Sequence, residues 1–344
     1  MKIFHGIART AFCILFSTTF LSWKTEKKDN DWTNDKLKGE VKSITERYVL
    51  SISPFDIFEK PKDSAQKSQM KKEMFYDQKG NKIEWNSINK DGSLDFKRRY
   101  KFDKQGNLIE QGSYNLDGSI KYLSVYTYND KGQNIEEGKS YHSAEIIESR
   151  GTFKYDDNGN LIEWITYKSD EGLMSKLTYK YDESGNKIEY IYFNSRGNIK
   201  FRYTYKYDKS HNLIRWDSYD SVKHSLGKAS YKYDDKGNQI ESKRYKSDGS
   251  LENKETSKFD DKGNKIKFIR YNSEGSINYN WAYKYDESGN IIEWTIYNTK
   301  KDSKARYLKY SYQYDYDKTG NWIKKTEFKN DELIFIIERD IVYF

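Results

Sequence analysis

Four histidines and a single cysteine, Cys13, are the chain's whole stock of nitrogen and sulfur nucleophiles and metal ligands beyond its lysines. His211 sits alone in the turn YDKSHN, and His142 and His224 belong to other turns, so no metal-ligand spacing arises. A serine–histidine–acid arrangement, a phosphate loop and a histidine cluster are all missing from the sequence. Carboxylates are plentiful, but they recur at equivalent places, as scaffolding does. Turns such as Asp156, Asp157, Asn158 and Asn160 offer oxygen ligands for calcium, yet lysine fills comparable places in sister turns, and Asp and Asn are ordinary turn formers. The expectation is a non-catalytic protein with no metal and no cofactor.

The residues best suited to recognition are aromatic. Trp85, Trp164, Tyr190, Trp216, Phe268 and Trp294 each stand five places after a recurring turn position, glycine in every copy but the one at His211, with Gln111, Glu137, Ser242 and Lys325 in the other copies. Such a row either fills a core or forms a platform for a glycan or a partner chain. These six are the candidate binding residues.

The elements that carry them repeat. The glycine of a D-x-x-G-N turn recurs at Gly80, Gly106, Gly132, Gly159, Gly185, Gly237, Gly263, Gly289 and Gly320, with His211 in the same place once, at a spacing of 26 or 27 residues until a final 31. Isoleucine follows three residues later in all ten copies, and Tyr or Phe precedes by four. Ile277, Tyr279, Trp281, Tyr283 and Tyr285 alternate with polar residues over nine positions, the period of a half-buried strand. Each unit thus reads as two strands and two turns, the second turn being SDGS or SEGS. The expected fold is all-β: about ten antiparallel hairpin repeats of 26 residues (74–344) forming a curved or spiral single sheet, aromatics on its concave side.

Finer expectations concern register. A four-residue D-x-x-G loop sets Tyr231 opposite Ile240 on the aromatic face. The aromatics eight residues after the glycine, Tyr245 and Tyr271 among them, have the wrong parity, and a β-bulge is expected to return them to that face. Lysines before the Tyr-Asp pair (Lys101, Lys154, Lys180, Lys206, Lys232, Lys258, Lys284) and glutamates after the isoleucine (Glu84, Glu110, Glu136, Glu163, Glu189, Glu241, Glu293) fall on the polar face within diagonal reach. His211 is expected to tolerate a left-handed conformation.

The chain opens MKIFHGIARTAFCILFSTTFLSWKTEKK, where Lys2 and Arg9 precede an apolar run too short to span a bilayer comfortably. It has the layout of a secretory signal (1–22), followed by a polar linker (23–40) and a capping strand and loop (41–73), the strand itself expected over Val41–Ile57. A processed chain has no cysteine, which excludes disulfides and thiol chemistry. The formal charge of +8 is interleaved with acids, whereas nucleic-acid binding wants an uncompensated basic stripe.

The Y-D-x-x-G-N-x-I signature with a following Y-x-x-D-G-S resembles the YD-repeat, or RHS-repeat, family of secreted and surface proteins, from about Met74 to Phe344. The stretches LKGEVKSITERYVL (Leu37 to Leu50) and GNWIKKTEFKNDELIFIIERDIVYF (Gly320 to Phe344) look like the terminal units of short arrays of the Bacteroidetes type. The resemblance implies a coiled β-sheet and, in large relatives, a shell enclosing a toxin or an adhesive surface. Together these readings favour an exported binding scaffold, secreted or in the cell envelope, for a glycan or protein partner. No nucleic-acid partner is expected, and membrane contact only through an uncleaved N-terminal signal. A purely structural envelope protein, or a toxin-related shell fragment, is the alternative.

Overall fold

The computed structural model describes residues 31–51, 71–130, 132, 134–142, 146–298 and 307–344. The signal region, the first part of the linker (23–30), the last six residues of the expected capping strand (52–57) with the loop after it, and the 299–306 insertion lie outside them. A one-turn helix, α1 (Asp31–Asn34), precedes twenty-two strands numbered β1 to β22 in chain order, from β1 (Val41–Ser51) and β2 (Lys71–Tyr76) to β22 (Glu332–Tyr343).

Every strand pairs antiparallel with the next in sequence, and β1 pairs with both β2 and β22. The sheet therefore closes. It is a 22-stranded barrel, and the open curved or spiral sheet expected from the repeats is corrected by that one seam. The Val41 strand is not a cap on an edge; it is the stave that removes both edges, and an open sheet of this length would have left unpaired backbone at each end. At about 4.8 Å per strand and a tilt near 40°, twenty-two strands enclose a ring roughly 40 Å across, too wide for side chains to fill. Burial agrees: among the described residues only Val41, Ile44, Tyr76, Tyr126, Ile135, Ile191, Ala229 and Ile334 are buried hydrophobics. Their one packed cluster, Val41, Ile44 and Tyr76, lies where Trp32 and Leu37 dock beside α1.

The turn chemistry explains the D-x-x-G-N spelling. In the turn after β14 (Ser225–Tyr233), the Asp234 amide donates to the Asn238 carbonyl (3.0 Å) and the Gly237 amide to the Asp234 carbonyl (3.0 Å). One Asp234 carboxylate oxygen accepts the Lys236 and Asn238 amides, and the other accepts the Asn238 side-chain amide. These bonds hold the Asp234 carboxyl below its usual range, the Asn238 side chain contributing most. Gly237 has φ 82° and His211, in the same place, φ 64°. This is a three-residue loop with a glycine bulge, not the four-residue loop expected. The SDGS turns use the same geometry, the Lys246 amide donating to Ser250 and the Gly249 amide to Lys246.

The shorter loop alone would pair Ile240 with Lys232, and a bulge removes that pairing. Tyr233 faces Gln239, Lys232 faces Glu241 and Tyr231 faces Ser242, leaving Ile240 as the extra residue. The expected Tyr231–Ile240 pairing is therefore corrected by two residues, to Tyr231–Ser242. A second register shift, between Arg244 and Tyr245, leaves Glu252 as the extra residue of β16 (Leu251–Phe259). From Glu241 to Tyr245 the alternation is unbroken, so Tyr245 stays on the polar face opposite Lys228. The aromatics at this place do not return to the aromatic face. They receive cations instead: Lys228 lies 5.0 Å from the Tyr245 ring, Lys254 5.7 Å from Tyr271 and Arg150 4.6 Å from Tyr167.

On that polar face the lysine and glutamate rows stand directly opposite each other rather than diagonally, as Lys154↔Glu163, Lys180↔Glu189 and Lys284↔Glu293. Glu163 is held at 3.2 Å by Lys154 and at 2.5 Å by Lys176 on the next strand, and Glu241 at 3.0 Å by Lys254. In the unit around Tyr128, Ile135 pairs directly and Glu137 faces Thr127, so Glu136 leaves the row. Two units break the ladder: Lys206 faces Arg215 and Lys258 faces Lys267.

Candidate functional site

The opposite face carries the rings, in clusters separated by smaller and polar residues such as Ser242, Arg244 and Glu255. Its strands are held together near the D-x-x-G-N rim by tyrosine hydroxyls. Between β13 (Leu213–Asp220) and β14 the ladder stops at Arg215↔Ser230, and beyond it the Tyr233 hydroxyl donates to the Leu213 carbonyl at 2.8 Å. Tyr181, Tyr207 and Tyr285 make the same bond to Leu161, Lys187 and Lys265 at 2.8 to 2.9 Å. The recurrent aromatic four residues before the glycine is thus a latch between neighbouring hairpins, which explains why it is usually Tyr. Burial pushes Tyr181 and Tyr155 up to about 12.

All six candidate residues lie on this face, half-buried, each with ring or cation neighbours. Trp85 meets Phe96 edge-on at 5.4 Å, with the Arg98 guanidinium 5.9 Å from its ring. Trp164 stacks on Phe153 at 5.5 Å, and does so above Gly151, where a Cβ would come within 3.1 Å of the indole nitrogen. Tyr190 lies 5.5 Å from Tyr179 and 5.9 Å from Tyr203, and Tyr203 also touches Trp216 at 5.8 Å. Trp216 donates its indole N–H to the Tyr231 hydroxyl at 2.9 Å. Phe268 packs against Trp281 at 5.0 Å. Trp294 lies parallel to Tyr310, 4.3 Å and 4° apart, and donates to the Tyr312 hydroxyl at 2.7 Å. Tyr190 and Trp216 thus share one cluster and Phe268 adjoins a second with Trp281, while Trp85 and Trp164 have separate neighbours.

Three features of this face were not marked by the six-residue row. Ser87, Thr166 and Ser218, seven places after the turn position, are buried, and these small side chains leave room for neighbouring rings. Cations also share the aromatic face: Lys187 lies 5.6 Å from both the Tyr179 and Tyr205 rings, and burial lowers its pKa. At the closing seam Glu46 accepts two hydrogen bonds from Arg339 (2.8 and 2.7 Å), whose guanidinium lies 3.3 Å over Trp322.

Third, a cavity of about 540 Å³ opens over β18 (Ile277–Tyr285), β19 (Ile291–Asn298) and β20 (Tyr307–Tyr316). Trp281, Tyr283, Trp294, Tyr312 and Tyr314 line it, together with Lys325 and with Lys36 from the segment after α1. Lys325 lies 4.4 Å from the Tyr312 ring, and burial lowers its pKa against the opposing pull of Glu327. Spacing could not have revealed this site, because only closure of the barrel brings Lys36 to it. Among the described residues no three His, Cys, Asp or Glu side chains gather as a metal site requires, and no helix is long and apolar enough to cross a membrane.

No family model matches the chain, and no curated protein matches it. Among solved structures, the chain is similar to the TcdB2-TccC3 protein lacking its hypervariable C-terminal region, at 12% identity and a TM-score of 0.34, over 74% of this chain and 15% of that one. It therefore spans less than a fifth of that chain's length. It is also similar to porin-like proteins from Bacteroides uniformis (10% identity, TM-score 0.30, 89% of this chain and 99% of that one) and Bacteroides vulgatus (10%, 0.24, 88% and 98%).

Proposed function

We propose that the chain is an exported, non-catalytic binding barrel whose aromatic wall faces the lumen and takes up a glycan. The observation that carries this reading is the wall itself: clusters of rings in mutual contact, half-buried, with no second layer over most of them among the described residues. A row of this kind that served only as a core would be covered. Flat, rigid rings with polar edges suit sugar faces, and the hydroxyls and lysines among them supply the polar contacts that fix orientation.

Strand hand and register support the inward placement. From Tyr203, five residues before its turn aspartate, the ladder passes through Ser218 to Gly227, seven before Asp234, so it climbs two residues per strand pair away from the D-x-x-G-N rim. The Asp234–Asn238 bond directs the backbone groups of Tyr233 toward β13. For L-residues in right-twisted strands, this climb and this hand call for rings on the inside.

An aqueous barrel fits better than a membrane-spanning one. Arg98 and Arg244 stand mid-strand on the aromatic face, and the Lys–Glu ladder covers the other. On a lipid-facing surface each midplane cation costs about 2–4 kcal/mol. The test is glycan-array binding by the folded chain, followed by Trp164→Ala and Trp216→Ala variants. Loss of glycan binding with the circular dichroism spectrum intact supports the reading. A blank array together with protein partners recovered by pull-down overturns it.

A further inference from the structure

The cavity lined by Lys36 brings two lysines, Lys36 and Lys325, to one aromatic floor. Trp294 is fixed from both directions, parallel to Tyr310 at 4.3 Å and donating to Tyr312, so its exposed face is preorganised. Lys36 is exposed and has φ 55°, a backbone conformation set by a segment tied down at several points. The Trp32 amide donates to the Gly80 carbonyl, the Leu37 amide to the Trp32 carbonyl, and the Lys38 amide to the Asn321 side chain.

The anionic groups nearby are already engaged. Asp286 accepts from Tyr316 (2.6 Å) and Asn290, Glu46 accepts from Arg339, and Glu327 lies 3.9 Å from Lys325. Glu327 is half-buried, which raises its pKa and weakens it as a counter-ion. The cavity thus presents a ring floor of sugar size, about 540 Å³, and an excess of positive charge.

Resting on the glycan reading above, we propose that this cavity binds a uronic acid unit, its sugar face on Trp294 and Trp281 and its carboxylate between Lys36 and Lys325. The carboxylate completes the charge balance of the site. A neutral hexose fills the same floor but leaves both ammonium groups without that partner.

The test uses the full chain and follows tryptophan fluorescence on titration with an α-1,4-linked galacturonic acid trimer and, separately, with a neutral galactose trimer. A charge-assisted contact of this kind predicts about a tenfold preference for the uronate. A Lys36→Gln/Lys325→Gln variant should lose the preference, and Trp294→Ala should weaken binding of both trimers. Should Trp294→Ala fail to fold, Trp294→Leu serves, with the circular dichroism spectrum as the check. Equal affinity for the two trimers, or a preference that survives in the double lysine variant, overturns the proposal. In either case neutral binding that depends on Trp164 and Trp216 leaves the broader glycan reading standing. If neither trimer binds and the glycan array is blank, both fall.

Discussion

Removing the four hydroxyl latches together should destabilise the barrel while leaving every ring in place. In Tyr181→Phe/Tyr207→Phe/Tyr233→Phe/Tyr285→Phe each change deletes one hydrogen bond of 2.8 to 2.9 Å to a carbonyl just beyond the end of a strand ladder. A bond of this kind contributes about 1 kcal/mol net, and the carbonyl loses its partner at a half-buried place. The four bonds join different strand pairs and share no partner, so the losses should add to about 4 kcal/mol. With a guanidinium slope of roughly 5 kcal/mol per molar for a chain of this size, the midpoint should fall by about 0.8 M. The control is Tyr245→Phe/Tyr271→Phe, whose rings face lysines at 5.0 and 5.7 Å and keep that contact without the hydroxyl. It should shift the midpoint by less than about 0.1 M. A quadruple variant that unfolds with its control would refute the claim that hydroxyls, rather than rings alone, close the gaps between hairpins.

Gly151→Ala would set a methyl 3.1 Å from the Trp164 indole nitrogen and 3.6 Å from Phe153, and should cost about 1–3 kcal/mol in denaturant unfolding. Lys267→Glu replaces a like-charged pair with Lys258 by an opposite pair, and should stabilise by about 0.2–1 kcal/mol at low salt, the gain shrinking at 1 M sodium chloride. Tyr155, Tyr181, Tyr190 and Tyr314 have pKa values raised to about 12 by burial, against 10 when unfolded. Their neutral form is favoured by folding, so this stability is complete below pH 10 and lost as pH rises through 12. Far-UV circular dichroism and tyrosinate absorbance should therefore change together between pH 10 and 12, and ionisation at pH 10 without loss of structure would contradict the burial.

Much of this architecture was legible in the residues because repetition amplifies weak signals. A single Asp-x-x-Gly-Asn means little, but eight copies and two variants of it in phase fix turn position and the sorting of lysine and tyrosine onto opposite faces. Register was less legible. Alternation cannot distinguish a four-residue loop from a three-residue loop followed by a bulge at Ile240, since both keep Tyr231 on the aromatic face. Tyr245 was misplaced for the same reason: a ring suggests burial, whereas here it is a platform for Lys228. Closure was invisible because β1 and β22 meet across nearly the whole chain, and nothing local distinguishes a stave from a cap. The six aromatics could be named from spacing, but the cavity beside Trp294 depends on Lys36, placed by that same long-range seam.

The barrel's closure is tested most directly by a cysteine pair across the seam. Thr45 and Asp340 are register partners on β1 and β22, and opposed residues of antiparallel strands lie about 4.5–5.5 Å apart at Cα, within disulfide range. In the full chain carrying Cys13→Ser, Thr45→Cys/Asp340→Cys should oxidise within one molecule to a species of faster non-reducing electrophoretic mobility, with the circular dichroism spectrum unchanged. Free thiols after oxidation of the folded chain, or cross-links only between molecules, would show that the two ends of the array do not meet.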